Sequence, residues 1–267
     1  MRGKKNVILW LLSGCFLILS MVVIGGITRL TDSGLSMVDW SLVDGAIPPL
    51  NQTDWIELFN KYKQTPEFQK INSDYTLKDF KFIFFWEYLH RMIGRLLGVV
   101  FILPFLYFLI KKRLSKKLIQ QSLVLFSLGA LQATIGWWMV KSGLVDRPDV
   151  SHYRLAVHLT TAFLTCSYTL WVTLPLILKK KNIGNHKVLR YLMFLSLIVI
   201  IQIIYGAFVA GLKAGLAFPT WPKMGSEFIP KEVFSSNPQW DFLNGVFGVQ
   251  FIHRILAIFI VIISIII

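Results

Sequence analysis

Residues 82–110 read FIFFWEYLHRMIGRLLGVVFILPFLYFLI. A helix crossing a bilayer needs about 20 predominantly apolar residues, and this run exceeds that length. Its first half nevertheless carries Glu87, His90, Arg91 and Arg95. Ionisable groups are costly in hydrocarbon, so each is a functional candidate by default. Five further runs share the length and apolar character, roughly 7–27, 118–140, 155–178, 191–212 and 244–267. The pattern predicts an all-α polytopic membrane protein with about six spans.

Composition supports that class and removes others. Of 267 residues, 55% are hydrophobic and 16% charged, which excludes intrinsic disorder. The net charge of +14 would suit a nucleic-acid binder, but a soluble fold cannot hide so many long apolar runs. The expected partner is the lipid bilayer, with no nucleic acid. Cys15 and Cys166 both sit inside apolar runs, so no disulfide framework is expected. The first run is too long and uninterrupted for a cleaved signal peptide, and no Arg- and Ser-rich transit peptide precedes it. A bacterial inner membrane is the expected location, or a mitochondrial inner membrane in a eukaryote.

Orientation follows from the basic residues. The N-terminus, the KKRLSKK loop (111–117) and the segment 179–190 hold 13 of the 28 Lys and Arg and no acid. The loops 28–81, 141–154 and 213–243 hold 13 of the 14 acids. The N-terminus is therefore expected in the cytoplasm. In the long outer loop 28–81, Trp55, Ile56, Leu58, Phe59 and Tyr62 fall at helical spacing. They predict a short amphipathic helix, lying on the outer membrane surface or capping the bundle. Pro219, Pro222, Pro230 and Pro238 make 213–243 an irregular loop.

The chain repeats itself. YLHRMIGRLLGVVF (88–101) resembles FIHRILAIFIVIIS (251–264), and GGITRLTDSGLSMVDW (25–40) resembles GAFVAGLKAGLAFPTW (206–221). Gly25, Gly34, Leu35 and Trp40 fall opposite Gly206, Gly215, Leu216 and Trp221. Spans 1–2 thus correspond to spans 5–6, in the same direction. A duplicated four-helix unit accounts for this: residues 1–180 form the first unit, and 181–267 the first half of the second.

His90, His158 and His253 lie near the outer ends of spans 2, 4 and 6. At a helical rise of 1.5 Å per residue, all three fall roughly 6–14 Å below the outer boundary. Neutral imidazoles at one depth on neighbouring helices suit axial ligation of haem iron. His90 and His158 make a pair in the first unit, and His253 one ligand in the second. A hydrogen bond to a neighbouring helix is the alternative for each. Arg91, Arg95, Arg154 and Arg254 sit close enough to hold haem propionates, although Arg95 could equally pair with Glu87 or reach the interface. Glu87 shares a helix face with His90. It reads either as an ion-pair partner of Arg91 or as a catalytic group handling protons at a haem edge. His186, in a Lys-rich loop, reads as solvated and His152 as interfacial.

Together, WEYLHR (86–91), TRLTDSGLSMVDW (28–40), AGLAFPTWPKM (214–224), RLAVHL (154–159) and FIHR (251–254) resemble the haem A synthase family. The likeness covers essentially the whole chain in order. It is nearest the branch of mitochondria and alpha-proteobacteria, which lacks outer-loop cysteine pairs. The resemblance implies oxidation of the C8 methyl of haem O to a formyl group, giving haem A for cytochrome oxidase. It implies two pseudo-symmetric four-helix units with eight spans. His90 and His158 would flank the substrate haem O in the first unit, and Glu87 would be the family acid beside it. His253 would ligate a haem b in the second unit, its partner histidine lying on the eighth span. Haem O synthase and an electron-transfer partner are the implied associates. A b-type diheme membrane electron carrier is the competing reading, using the same histidines without a substrate site. A transporter is a weaker one, since transporter repeats are often inverted.

The topology is directly testable. A reporter fused after Lys181 should read cytoplasmic and one fused near Gly225 should read external; the reverse pattern would overturn the orientation.

Overall fold

A computed structural model of the protein describes residues 2–38, 45–144, 148–178, 186–234 and 242–266. These contain eight α-helices: α1 (Arg2–Leu30), α2 (Gln52–Tyr62), α3 (Pro66–Lys70), α4 (Leu77–Ile110), α5 (Lys116–Lys141), α6 (His152–Ile177), α7 (His186–Gly211) and α8 (Val246–Ile266). Among the described residues there is no strand, only an isolated bridge between Met224 and Glu227. Helices α1 and α4–α8 are long and apolar enough to cross a membrane. Large apolar side chains such as Phe16, Leu103, Trp171, Met193 and Val261 are exposed along them, as lipid-facing surfaces require. The chain is a multi-pass, all-α membrane protein.

Local sequence sets the helix starts. Helix α4 begins at Leu77, five residues before the apolar run, because Thr76 and Asp79 form a reciprocal capping box. Asn51 caps α2, Thr65 caps α3 with Pro66 in its first turn, and Ser115 caps α5. Helix α7 is already helical at His186, the first described residue after 178 and five residues ahead of the apolar run.

The chain packs as two compact units, Met1–Val150 with Thr161–Lys180, and Ser151–Thr160 with Lys181–Ile267. The first turns of α6 therefore group with the second unit, whereas the repeat alone assigns all of 1–180 to the first. In that second unit, Ala156 is buried in one cluster with Ala207, Phe208 and Val249. Gly211 permits this approach: a Cβ there would lie 2.6 Å from His152 Cβ. The His152 ring Nε2 sits 3.1 Å from the Leu243 carbonyl oxygen. His186 is exposed.

In the first unit, Trp10, Leu11, Phe108, Leu118 and Val172 form a core, and the Trp10 indole donates to the Val100 carbonyl at 3.1 Å. Cys15 and Cys166 are buried and unbridged. Helix α2 turns Phe59 and Tyr62 onto Phe80, Ile83 and Phe84 of α4. Tyr62 stacks on Phe80 with ring centroids 5.2 Å apart. The amphipathic face of α2 thus caps the projecting end of α4. The loop after α7 is irregular, with short 3₁₀ turns at Ala214–Leu216 and Lys231–Phe234. Trp40, paired with Trp221 by the repeat, and Lys179–Lys181 of the inside loop lie outside the described residues.

Beneath the cap, Glu67 is buried and accepts a hydrogen bond from the Tyr62 hydroxyl at 3.0 Å. The Asn72 amide donates to that same hydroxyl oxygen at 2.9 Å. Burial pushes the Glu67 carboxyl up from 4.5 to about 8, and the Tyr62 donation offsets only part of this. The folded chain therefore holds this proton more tightly than the unfolded chain. The resulting stability is complete below pH 4.5 and is lost as pH rises towards about 8. Limited proteolysis of loop 45–76 should accelerate between pH 5 and pH 8 in the wild type, as a rough window set by that shift. After Glu67→Gln the acceleration should vanish; a variant retaining the wild-type pH profile would show that Glu67 is not its source.

Candidate functional site

The site of the first unit begins where α1 ends. Asp32 adopts a left-handed conformation, φ 47°, and the Ser33 amide donates back to the Thr28 carbonyl at 2.9 Å. This turn carries Ser36 and Met37 across to α4. There Glu87 is buried, at 3% exposure. Its Oε2 accepts from the Ser36 hydroxyl at 2.7 Å and the Met37 amide at 2.8 Å. Its Oε1 accepts from Arg91 Nη2 at 2.6 Å and Nε at 3.1 Å. Arg91 Nη2 also donates to the Met37 carbonyl at 3.0 Å. Four donors, two of them charged, therefore converge on one carboxylate, the arrangement a buried acid needs.

The second unit repeats the frame. Lys213 is again left-handed, φ 52°, and the loop crosses to α8. Arg254 Nη2 donates to the Phe218 carbonyl at 2.6 Å and Nη1 to the Lys223 carbonyl at 3.3 Å. Its guanidinium lies 5.9 Å from the Trp221 ring centroid. Asp32, Met37 and Arg91 correspond to Lys213, Phe218 and Arg254 in the repeat. The same arginine thus ties the same loop position to the second helix of each pair. Two facing positions differ, and Ala217 stands where the first unit has Ser36. Gln250 stands where the first unit has Glu87, and its Nε2 donates to the Phe218 carbonyl at 2.9 Å.

The histidines share a setting too. A Cβ on Gly25 would lie 3.1 Å from His90 Cε1, and a Cβ on Gly206 would lie 3.2 Å from His253 Cε1. In both units the edge of the imidazole that carries its nitrogens faces a helix backbone cleared by glycine. The His253 Nδ1 is buried without a hydrogen-bond partner, and its Nε2 lies 3.5 Å from the Gln202 amide nitrogen. The glycines let each imidazole pack closely on a helix backbone, and the buried, unpartnered His253 Nδ1 is the observation that fits an iron-bearing ring. Among the described residues no group of three His, Cys, Asp or Glu could hold a metal ion.

Of the other residues singled out by sequence, His158 and Arg154 are partly buried in the first turns of α6. Arg95 lies with Nη1 3.7 Å from the Met92 sulfur. Arg91 and Arg254 direct donors to loop carbonyls. Sequence reading missed Ser36 and Gln250. Extending the aligned YLHR/FIHR segments by one residue would have set Glu87 against Gln250, and the quoted loop repeat already set Ser36 against Ala217.

The COX15-CtaA family profile, described as cytochrome oxidase assembly protein, matches residues 8–267. The chain belongs to this family. It is 52% identical over 265 residues to the Heme A synthase of Flavobacterium psychrophilum, covering 97% of this chain and 78% of that protein. It is 53% identical to the Heme A synthase of Flavobacterium johnsoniae over 262 residues, 96% of this chain and 77% of that one. The Heme A synthase of Nitrosospira multiformis is 48% identical over 259 residues, 95% and 73% of the two chains. No solved structure matches the chain.

Proposed function

We propose that this family member is an oxidoreductase that converts haem O to haem A by oxidising the C8 methyl to a formyl group. The observation that carries the reading is the buried Glu87, clamped by four donors one helical turn from His90. The family and its Heme A synthase relatives supply the substrate class. The first repeat, residues 1–180, takes haem O as substrate, with His90 and His158 assigned to it by the sequence pattern alone, since His158 packs with the second compact unit. The second unit holds a haem b through His253, which would relay electrons when bound. Arg91, Arg95, Arg154 and Arg254 are the cations available for propionates.

Carrying a methyl to an aldehyde, R–CH3 + H2O → R–CHO + 4 H+ + 4 e−, removes electrons and protons from one carbon and adds one oxygen atom, supplied by water. The electrons need an acceptor, so an electron-transfer partner is required, and haem O synthase is the source of substrate. The protons need a base in a dry site. Glu87 is the buried carboxylate on the His90 face, and it can receive a proton or stabilise positive charge developing on the reacting carbon. Arg91 holds its other oxygen and fixes its direction. The Gly25 backbone keeps the space beside His90 clear. With the N-terminus cytoplasmic, both sites lie towards the outer face of a bacterial inner membrane.

Glu87→Gln preserves shape while removing the charge and the base. It should still bind haem yet accumulate haem O or an alcohol intermediate, with conversion slowed about 10²–10⁴-fold. His90→Ala and His158→Ala should each abolish conversion. Normal haem A yield from Glu87→Gln would reduce that residue to a structural partner of Arg91. Normal rates from both histidine variants would remove the first unit from the reaction.

A further inference from the structure

The two units share a frame but differ at two facing positions. In the first, Ser36 donates its hydroxyl to Glu87 at 2.7 Å, and both residues are buried. In the second, the corresponding residues are Ala217 and Gln250. The rest of the frame is retained: the left-handed residue at Asp32 and Lys213, the arginine-to-loop carbonyl bond, and the glycine against the imidazole. Loss of the carboxylate and loss of its hydroxyl donor therefore go together, while the left-handed residue, the arginine-to-carbonyl bond and the glycine against the imidazole stay.

The chemistry explains the pairing. A carboxylate accepts only, so a buried one needs donors on both oxygens. Gln250 carries its own donor and points it at the Phe218 carbonyl, while its Oε1 is buried without a partner; being neutral, it tolerates that far better than a carboxylate would. The loop fold does not need Ser36 either, since the second unit makes the same crossing with alanine. The serine hydroxyl also lies 3.1 Å from the Ser33 carbonyl oxygen of its own loop, but its shorter contact, at 2.7 Å, is to the acid.

We propose that Ser36 is a positioning residue for Glu87, and that the joint exchange of Ser36 and Glu87 for Ala217 and Gln250 confines proton handling to the first unit. This rests on the reading of Glu87 as the acid of the oxidation. Ser36 and the Met37 amide hold Oε2, while Arg91 holds Oε1. The carboxylate plane is thereby fixed at both ends, and removing the Ser36 hydroxyl leaves Oε2 held by the Met37 amide alone, which loosens that end against Arg91. The second unit keeps a neutral amide in the same place, so its haem site can pass electrons without a competing proton acceptor.

The test uses the full chain in membranes supplied with haem O. Ser36→Ala should keep haem content and slow conversion about tenfold to a hundredfold, the effect of removing one hydrogen bond to a charged group. Ser36→Thr, which keeps the hydroxyl, should recover most of the rate. Combined with Glu87→Gln, Ser36→Ala should have no further effect, because its influence runs through the carboxylate. In infrared spectra of the purified protein, the carboxylate band that Glu87→Gln removes should be shifted by Ser36→Ala. Should the alanine variant fail to accumulate, Ser36→Cys fills the space with a weaker donor and takes its place. An unshifted band, an unchanged rate, or a loss that multiplies with that of Glu87→Gln would overturn the positioning role. Full activity of Glu87→Gln would instead overturn the reading of Glu87 itself, so the two failures are distinguishable.

Discussion

Within each unit a glycine on one span meets the imidazole on the next. Gly25 faces His90 and Gly206 faces His253, each so closely that a Cβ would lie 3.1 or 3.2 Å from the ring. Any side chain at either glycine would fill the space the ring faces. That contact sets the spacing of α1 against α4 and of α7 against α8, and the loops that follow α1 and α7 are bound to the same scaffold. An arginine next to each histidine completes it by bonding a loop carbonyl. Helix pair, loop and imidazole are thus one construction, made twice.

On this common frame the two copies diverge in charge. The first buries an anion and surrounds it with donors from Ser36, Met37 and Arg91. The second buries an amide that needs no counter-charge. Burying a charge without partners costs several kcal/mol by rough account, so the acid and its donors must be gained or lost as a set. The proposed function follows the same division. A site that oxidises carbon must deal with protons, whereas one that relays electrons need not.

Much of this was legible in the sequence because bilayer solvation is a severe constraint. The six spans announce themselves as apolar runs, and the 88–101 and 251–264 repeat already aligned both histidines. Helix starts were less legible. Leu77 begins α4 because of the Thr76 and Asp79 capping box, a local hydrogen-bond pattern that hydropathy does not register. The orientation of α2 was undecided, since one amphipathic face serves a membrane surface or a protein cap equally well; its packing on Phe80 and Phe84 is a tertiary fact. Ser36 looked like one polar loop residue among several. Its importance depends on a contact across 51 residues to Glu87, which no local pattern encodes.

The central claim is that the two glycine–imidazole seats each serve a separate haem. Haem extraction and optical spectra of purified His90→Ala and His253→Ala test it most directly. The account predicts that His253→Ala loses the haem b signature while the chain still takes up haem O, and that His90→Ala keeps haem b and fails to retain haem O. Loss of the same haem from both variants, or of none from either, would contradict it.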